Sequence, residues 1–280
     1  MKKALLIINV SKDESMSLAQ EIAAYLEKKG IAHDFLSFDG FVDNSDFKEY
    51  QFVISLGGDG TVLYAARNAS KYGIPVFPVN LGEFGFIASV QPQDWKKELN
   101  AFLDGKSVFQ KRSLLKVEVS RASKKIYSSL SLNDAVISAE RGVSTITLSV
   151  LRNSLPLCRL KADGLILATP TGSTAYSAAA GGPIVSPDLE AFVLTPLNSF
   201  SLSSRPIVLS PDSKLEITVE KCRARGICIT VDGQEPFSIE CGDVITVSLN
   251  KKKANLVAGS AEKFYNALRS KLNWSGVPHA

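Results

Sequence analysis

Asp59 stands in Gly57-Gly58-Asp59-Gly60-Thr61, a single carboxylate among three glycines, between the apolar run Phe52 to Leu56 and a helical stretch from Val62. Glycines reach backbone conformations closed to other residues and leave their amides uncovered, and such amides gather around phosphate oxygens. This makes Gly57, Gly58, Gly60 and Thr61 candidate phosphate contacts. A carboxylate in that turn can take up a proton or meet Mg²⁺ beside the phosphates. The same residues also read as a plain strand-to-helix turn capped by Asp59. No G-x-x-x-x-G-K-[ST] occurs in the chain, and Leu63 stands where a dinucleotide fingerprint needs its third glycine.

A second segment carries more. Asp163-Gly164 opens a strand, and Thr169-Pro170-Thr171-Gly172-Ser173-Thr174-Ala175-Tyr176 follows. Thr171, Ser173 and Thr174 offer hydroxyls at a helix start, where backbone N–H groups also point outward. Tyr176 offers a flat face for an aromatic base, and the small residues Ala178 to Gly182 let a ligand approach the backbone. A well-capped helix with a packed tyrosine accounts for each residue singly, but poorly for their clustering. The chain has only two histidines, His33 and His279, and neither is placed as a general base, so a carboxylate is expected to handle protons.

The elements that position these groups fall into two halves. Ala4 to Val10, His33 to Phe38, Phe52 to Leu56 and Ile74 to Asn80 read as strands. They alternate with helices ending at Gly30 and covering Val62 to Ala69 and Asp94 to Leu103. This predicts an α/β domain over 1–105, with a doubly wound, mostly parallel sheet. Short β-branched runs follow: Leu114 to Val119, Lys125 to Ser138, Thr145 to Leu151, Lys214 to Val219, Gly226 to Val231 and Asp243 to Leu249. They predict a mostly antiparallel β domain over 106–254, with one helical interruption at Ser173 to Ala180. A helix at Ala261 to Leu272 is expected to bring 255–280 back onto the first domain.

Bulk properties narrow the function. A net charge of +4 gives no basis for a nucleic-acid partner, and 280 residues suffice for two cores. The apolar run behind Lys2-Lys3 is short, charged residues follow it at once, and no stretch is long enough to span a bilayer, so a cytoplasmic protein is expected. Cys158, Cys222, Cys228 and Cys241 form no C-x-x-C pair, which argues against a zinc site.

Over nearly its full length the chain resembles bacterial NAD kinases. The resemblance rests on GGDGT (57–61), Asn80-Leu81-Gly82 with Gly85-Phe86, Asn133-Asp134, DG…TPTGSTAY (163–176), Gly181-Gly182-Pro183, a Thr195-Pro196 segment running to Arg205-Pro206, and Asp232-Gly233-Gln234. GGDGT alone is shared with lipid kinases and phosphofructokinases; TPTGSTAY at this distance is far more specific. The resemblance implies transfer of the γ-phosphoryl group of ATP, or of polyphosphate, to the adenosine 2′-hydroxyl of NAD. It implies a divalent metal, Mg²⁺ by preference, NAD in the crevice between the domains, and a homodimer or homotetramer. Asp59 would be the catalytic base and Gly60 a neighbouring contact. Asn133 would hold the NAD ribose with Asp134 beside it, and Asp163 would lie near the nicotinamide. Thr174, Ala175, Tyr176, Ser177, Ala178 and Ala179 would wrap the adenosine, with Lys161, Asn198 and Gln234 completing the NAD site. Three positions depart from the family pattern: Asp134 replaces glutamate, Lys161 replaces a common arginine, and Ser199-Phe200 replaces a common Pro-His pair. A lipid or sugar kinase, or a non-enzymatic NAD-binding regulator, are the competing readings; intact GGDGT and the lack of a polybasic or amphipathic anchor weigh against them.

Overall fold

A computed structural model describes residues 2–40, 46–82, 85–140, 144–220, 226–257, 261–272 and 274, with side chains of the last helix from 264. In chain order the elements begin with β1 (Lys3–Asn9), α1 (Asp13–Lys28), β2 (Ala32–Phe38), β3 (Phe52–Gly57), α2 (Asp59–Ser70), β4 (Pro75–Asn80), α3 (Trp95–Leu103) and β5 (Phe109–Arg112). A β-rich stretch follows: β6 (Leu115–Arg121), β7 (Lys124–Ser131), β8 (Asp134–Ala139), β9 (Ile146–Arg152), β10 (Leu155–Ala162), β11 (Gly164–Ala168), α4 (Tyr176–Ala179), β12 (Phe192–Leu197), β13 (Ile207–Leu209), β14 (Lys214–Val219), β15 (Ile227–Val231), β16 (Phe237–Ile239) and β17 (Val244–Leu249). The chain closes with β18 (Ala254–Val257) and α5 (Ala261–Leu272).

Two compact units result: residues 1–111 with 254–280, and residues 112–253. The first is the expected α/β unit. Its sheet runs β2-β1-β3-β4-β18-β5, and β1, β2, β3, β4 and β18 pair in parallel. Both faces are covered, so β3 is buried at every position, as an apolar run without alternation requires. From β1 the chain crosses through α1 to β2 on one side; from β3 it crosses through α2 to β4 on the other. The carboxyl ends of β1 and β3 therefore form the topological switch point, where such sheets bind ligands.

The second unit is a sandwich of two six-stranded antiparallel sheets, β10-β9-β14-β17-β6-β7 and β13-β12-β11-β8-β15-β16. Alternate residues of each face one core: Val117, Leu148, Ile217 and Ile245 from one sheet, Ile137, Leu165, Leu194 and Ile229 from the other. The outer face of β11 is also buried: Ile166 and Ala168 pack with Val185 and Val193, so β11 is apolar at every position.

Two sequence expectations need correction. The run Lys125 to Ser138 is two strands in different sheets, β7 and β8, because the chain turns a corner at Leu132-Asn133. Ser173 to Ala180 is not one helix: a 3-10 turn at Gly172–Thr174 precedes the four-residue α4. Cys158, Cys228 and Cys241 are free thiols, and Cys222 lies outside the described residues, as does His279. Among the described residues, no helix is long and apolar enough to cross a membrane.

Candidate functional site

At the switch point, β3 delivers the chain to Gly57 and α2 begins at Asp59. None of Gly57, Gly58 and Gly60 has positive φ, so their use is closeness of approach and not unusual dihedrals. A Cβ on Gly57 would lie 2.3 Å from Thr61 Oγ1, whereas Cβ atoms on Gly58 and Gly60 would meet nothing within 4 Å. Gly57 thus serves the packing of α2 on β3, while Gly58 and Gly60 leave open backbone beside the helix start. Thr61 is buried and its hydroxyl accepts a hydrogen bond from Asn9 Nδ2 at 3.2 Å, tying the end of β1 to α2. The Thr61 N–H donates to Gly58 O. The Asp59 and Gly60 amides, in the first turn of α2, have no carbonyl four residues back within the helix and point outward.

Asp59 does not cap its own helix by side chain. Its carboxylate is gripped instead by the loop after β4: Phe86 N–H donates to Oδ2 at 3.0 Å, and Ile87 and Ala88 N–H donate to Oδ1 at 3.3 and 3.1 Å. A carboxylate offers about four acceptor positions, so Oδ2 keeps one for an incoming hydroxyl. Gly85 makes the grip possible, since a Cβ there would lie 2.1 Å from Oδ1.

In the second unit a polar cluster gathers where β8 starts and where β11 and β15 end, aligned by the pairs Asp134↔Ala168 and Ala135↔Val231. Its organiser is Asp232, which sequence reasoning quoted only within a motif. Asp232 and Gly233 form a tight turn with φ of 51° and 66°, the conformation that Asp-Gly favours in hairpins. The Asp232 carboxylate accepts from Ser131 Oγ (2.6 Å) and from the backbone N–H of Leu132, Asn133 and Asp134 (3.0, 2.8 and 3.2 Å), fixing the corner between β7 and β8. Gln234 follows in the same turn, its N–H bonded to Val231 O.

Asn133 and Asp134 are thereby held with their acceptors unmet. Asn133 Oδ1 is buried and, among the described residues, has no hydrogen-bond partner. Asp134 is 6% exposed, and among the described residues nothing donates to its carboxylate. Burial first, and the Asp232 charge second, push the Asp134 carboxyl up to about 7. Two buried acceptors side by side suit a ligand that brings O–H or N–H donors.

The TPTGSTAY segment packs on the same corner. Thr169 N–H donates to Asn133 O, the Thr169 hydroxyl donates to Leu132 O, and a Cβ on Gly172 would lie 2.1 Å from Asn133 O. The Ser173 and Thr174 hydroxyls donate within the segment, while Thr171 is engaged as an acceptor. Ser173 Oγ donates to Pro170 O and accepts from Val185 N–H, Thr174 Oγ1 donates to Thr171 O, and Thr171 Oγ1 accepts from Arg112. Ser177 is fully buried against Thr195 Oγ1. These bonds shape the turn. Tyr176, in contrast, is 49% exposed and Ala179 is exposed, while Ala175 and Ala178 are half-buried.

Lys161, Asp163 and Asn198 lie apart from this cluster, at the opposite end of β11, roughly 20 Å away at the usual strand rise. Asn198 Nδ2 donates to Asp163 Oδ2 at 3.0 Å. The Lys161 ammonium sits 4.9 Å from the centre of the Phe200 ring, so two of the three departures from the family pattern touch each other. Among the described residues no three His, Cys, Asp or Glu side chains converge to hold a metal ion.

Comparison with known proteins agrees with this geometry. The ATP-NAD kinase N-terminal domain matches residues 37–107, which hold Asp59 and its clamp, and the ATP-NAD kinase C-terminal domain matches 132–259, which hold the Asn133 corner. An NAD kinase of Treponema denticola is 45% identical over 99% of this chain and 98% of its own length. One of Treponema pallidum (strain Nichols) is 42% identical over 98% of this chain and 90% of its own. Among solved structures, yeast NADH kinase complexed with NADH superposes with a TM-score of 0.82 at 22% identity, covering 99% of this chain and 89% of that one. An NAD kinase from Archaeoglobus fulgidus in complex with ATP gives 0.76 at 24% identity, covering 95% and 96%. The chain belongs to the NAD kinase family.

Proposed function

We propose that this protein phosphorylates the adenosine 2′-hydroxyl of NAD with the γ-phosphoryl group of a nucleoside triphosphate, giving NADP. The observation that carries the reading is the Asp59 carboxylate, fixed at the switch point with one acceptor position open beside the uncovered backbone of Gly58 and Gly60. The 2′-hydroxyl donates to Asp59 Oδ2, which aligns its oxygen for in-line attack. As the new P–O bond forms and the bond to the β-phosphate breaks, the hydroxyl proton passes to Asp59 and the nucleoside diphosphate leaves. Phosphoryl transfer of this kind has a loose transition state, so orientation counts for more than base strength.

The donor phosphates are met by the amides at the start of α2. A divalent cation, Mg²⁺ by preference, would arrive on the donor phosphates and keep most of its waters. Asn133 Oδ1 and Asp134 accept hydrogen bonds from the NAD sugar, Tyr176 stacks on its adenine, and Ala175, Ala178 and Ala179 allow close approach. Gln234 joins them from the Asp232 turn. Lys161, Asp163 and Asn198 form a separate polar station of the NAD site near its nicotinamide end. We further infer a cytoplasmic homo-oligomer.

The test is a coupled assay of NADP formation with ATP, polyphosphate and no donor, on the parent chain and Asp59→Asn. The parent should form NADP with a donor only, and Asp59→Asn should lose about 10²–10⁴ in kcat while keeping its Kd for NAD. Near-normal turnover in that variant would remove Asp59 from the reaction.

A further inference from the structure

The loop that grips Asp59 is itself anchored by the end of the chain. It leaves β4 at Asn80 and is tied back at Val90, where Asn80 N–H donates to Val90 O and Val90 N–H donates to Pro78 O. Between these points Ile87 and Ala88 are buried while donating to Asp59. Two further contacts hold the loop from outside. Ser89 Oγ donates to Val257 O, at the last residue of β18, at 2.8 Å. The Phe86 ring packs on Phe264 of α5, with centroids 6.3 Å apart and planes at 60°. The helix is seated by Ala267 and Leu268, both buried, while Tyr265 and Leu272 on it are exposed.

We propose that α5 is a positioning element for phosphoryl transfer: Phe264, packed on Phe86, keeps the Gly85–Ala88 loop closed on Asp59 and so fixes the carboxylate. The proposal rests on the reading of Asp59 as the group that meets the acceptor hydroxyl. Phe264 meets the ring of Phe86, and so acts on the carboxylate through that residue. Phe86 supplies both the ring that Phe264 covers and, among the described residues, the one amide on Oδ2, the oxygen with an open position. A loop that swings at Phe86 therefore turns that oxygen first. Backbone N–H donors hold a carboxylate only while the loop keeps its shape, and a misplacement of about 1 Å costs on the order of 10²-fold in rate.

The experiment is a double-mutant cycle on the full chain between Phe264→Ala and Asp59→Asn, with Phe264→Leu as the conservative control. Phe264→Ala should lower kcat by roughly 10- to 100-fold with KM for NAD within about twofold, and Phe264→Leu should recover most of the loss. In the Asp59→Asn background the same change should cost less than about twofold, since the group it positions is gone. Hydrogen exchange gives a readout independent of turnover: the amides of Phe86, Ile87 and Ala88 should exchange faster in Phe264→Ala than in the parent. Equal losses in both backgrounds, unchanged kcat, or unchanged exchange at 86–88 would each overturn the proposal. A fully active Asp59→Asn would instead overturn the reading of Asp59, a separate and recognisable failure.

Discussion

Asp134 turns the acidity of the site into a stability signal. Its carboxyl is raised from the ordinary 3.8 to about 7, by burial first and the charge of Asp232 second. In the unfolded chain it ionises near its ordinary value. Between those two pH values the folded protein holds a proton that the unfolded chain has released, so stability falls as pH rises through that window and levels off above it. Each pH unit in the window is worth about 1.4 kcal/mol, so the free protein loses on the order of 4 kcal/mol between pH 4 and pH 7 through this one group. Asp134→Asn cannot ionise. Its buried amide adds a cost of its own, about 1–3 kcal/mol, but that cost does not vary with pH. The informative quantity is the difference in slope between the two proteins. Urea unfolding of parent and variant from pH 5 to pH 8 should show the parent losing stability relative to Asp134→Asn up to about pH 7 and then running parallel to it. NAD, by donating hydrogen bonds to the carboxylate, should reduce the parent's slope. Parallel profiles would refute the reasoning, since Asp134 would then ionise alike in both states.

Other perturbations separate ligand contacts from scaffold. Tyr176→Ala should weaken NAD binding by roughly 1–3 kcal/mol in calorimetric titration, as for other base-stacking residues, and leave Tm nearly unchanged because the ring is half exposed. A shift in Tm with unchanged Kd would return it to the scaffold. Gly172→Ala should cost at least about 2 kcal/mol in a denaturant titration and disturb NAD affinity, because the new Cβ collides with the backbone of Asn133 and not with a movable side chain. Full stability in that variant would contradict the packing described. Asp232→Asn keeps a residue tolerant of positive φ but sets an amide against N–H donors; it should lower stability by about 2 kcal/mol and also shrink the Asp134 slope. An unchanged slope would remove Asp232 as a cause of the raised acidity.

Much of the α/β unit is legible in sequence because its strands are buried on both faces and its helices keep a regular apolar period. The β unit is less so. β10 reads Leu-Pro-Leu-Cys-Arg-Leu-Lys-Ala, with a register shift between Pro156 and Cys158, and shows no clean alternation. The corner between β7 and β8 carries no turn residue beyond Asn133; it is set by Asp232, about a hundred residues further on, a contact no local pattern reports. The Asp59 clamp is hidden for the same reason, its donors standing 27 to 29 residues away. One group of side chains has a local use that composition does not reveal. The hydroxyls of Thr171, Ser173 and Thr174 suggest a ligand, yet short-range bonds to nearby backbone and to Arg112 engage them, which is the common use of such residues in turns.

The position of β18 has a consequence for biosynthesis. This strand lies between β4 and β5 in the first sheet, yet the residues 112–253 are made before it. At about 5–20 residues per second, β4 waits on the order of ten seconds with its edge bare. Throughout that interval the nascent α/β unit presents a ready template for pairing with another chain, and by its end the β sandwich has its whole sequence while the first sheet still lacks β18. The β sandwich can therefore fold first, and the α/β unit that starts the chain is the last to be completed. Nascent chains arrested before Ala254 should aggregate through the open sheet, and chains arrested after Val257 should not.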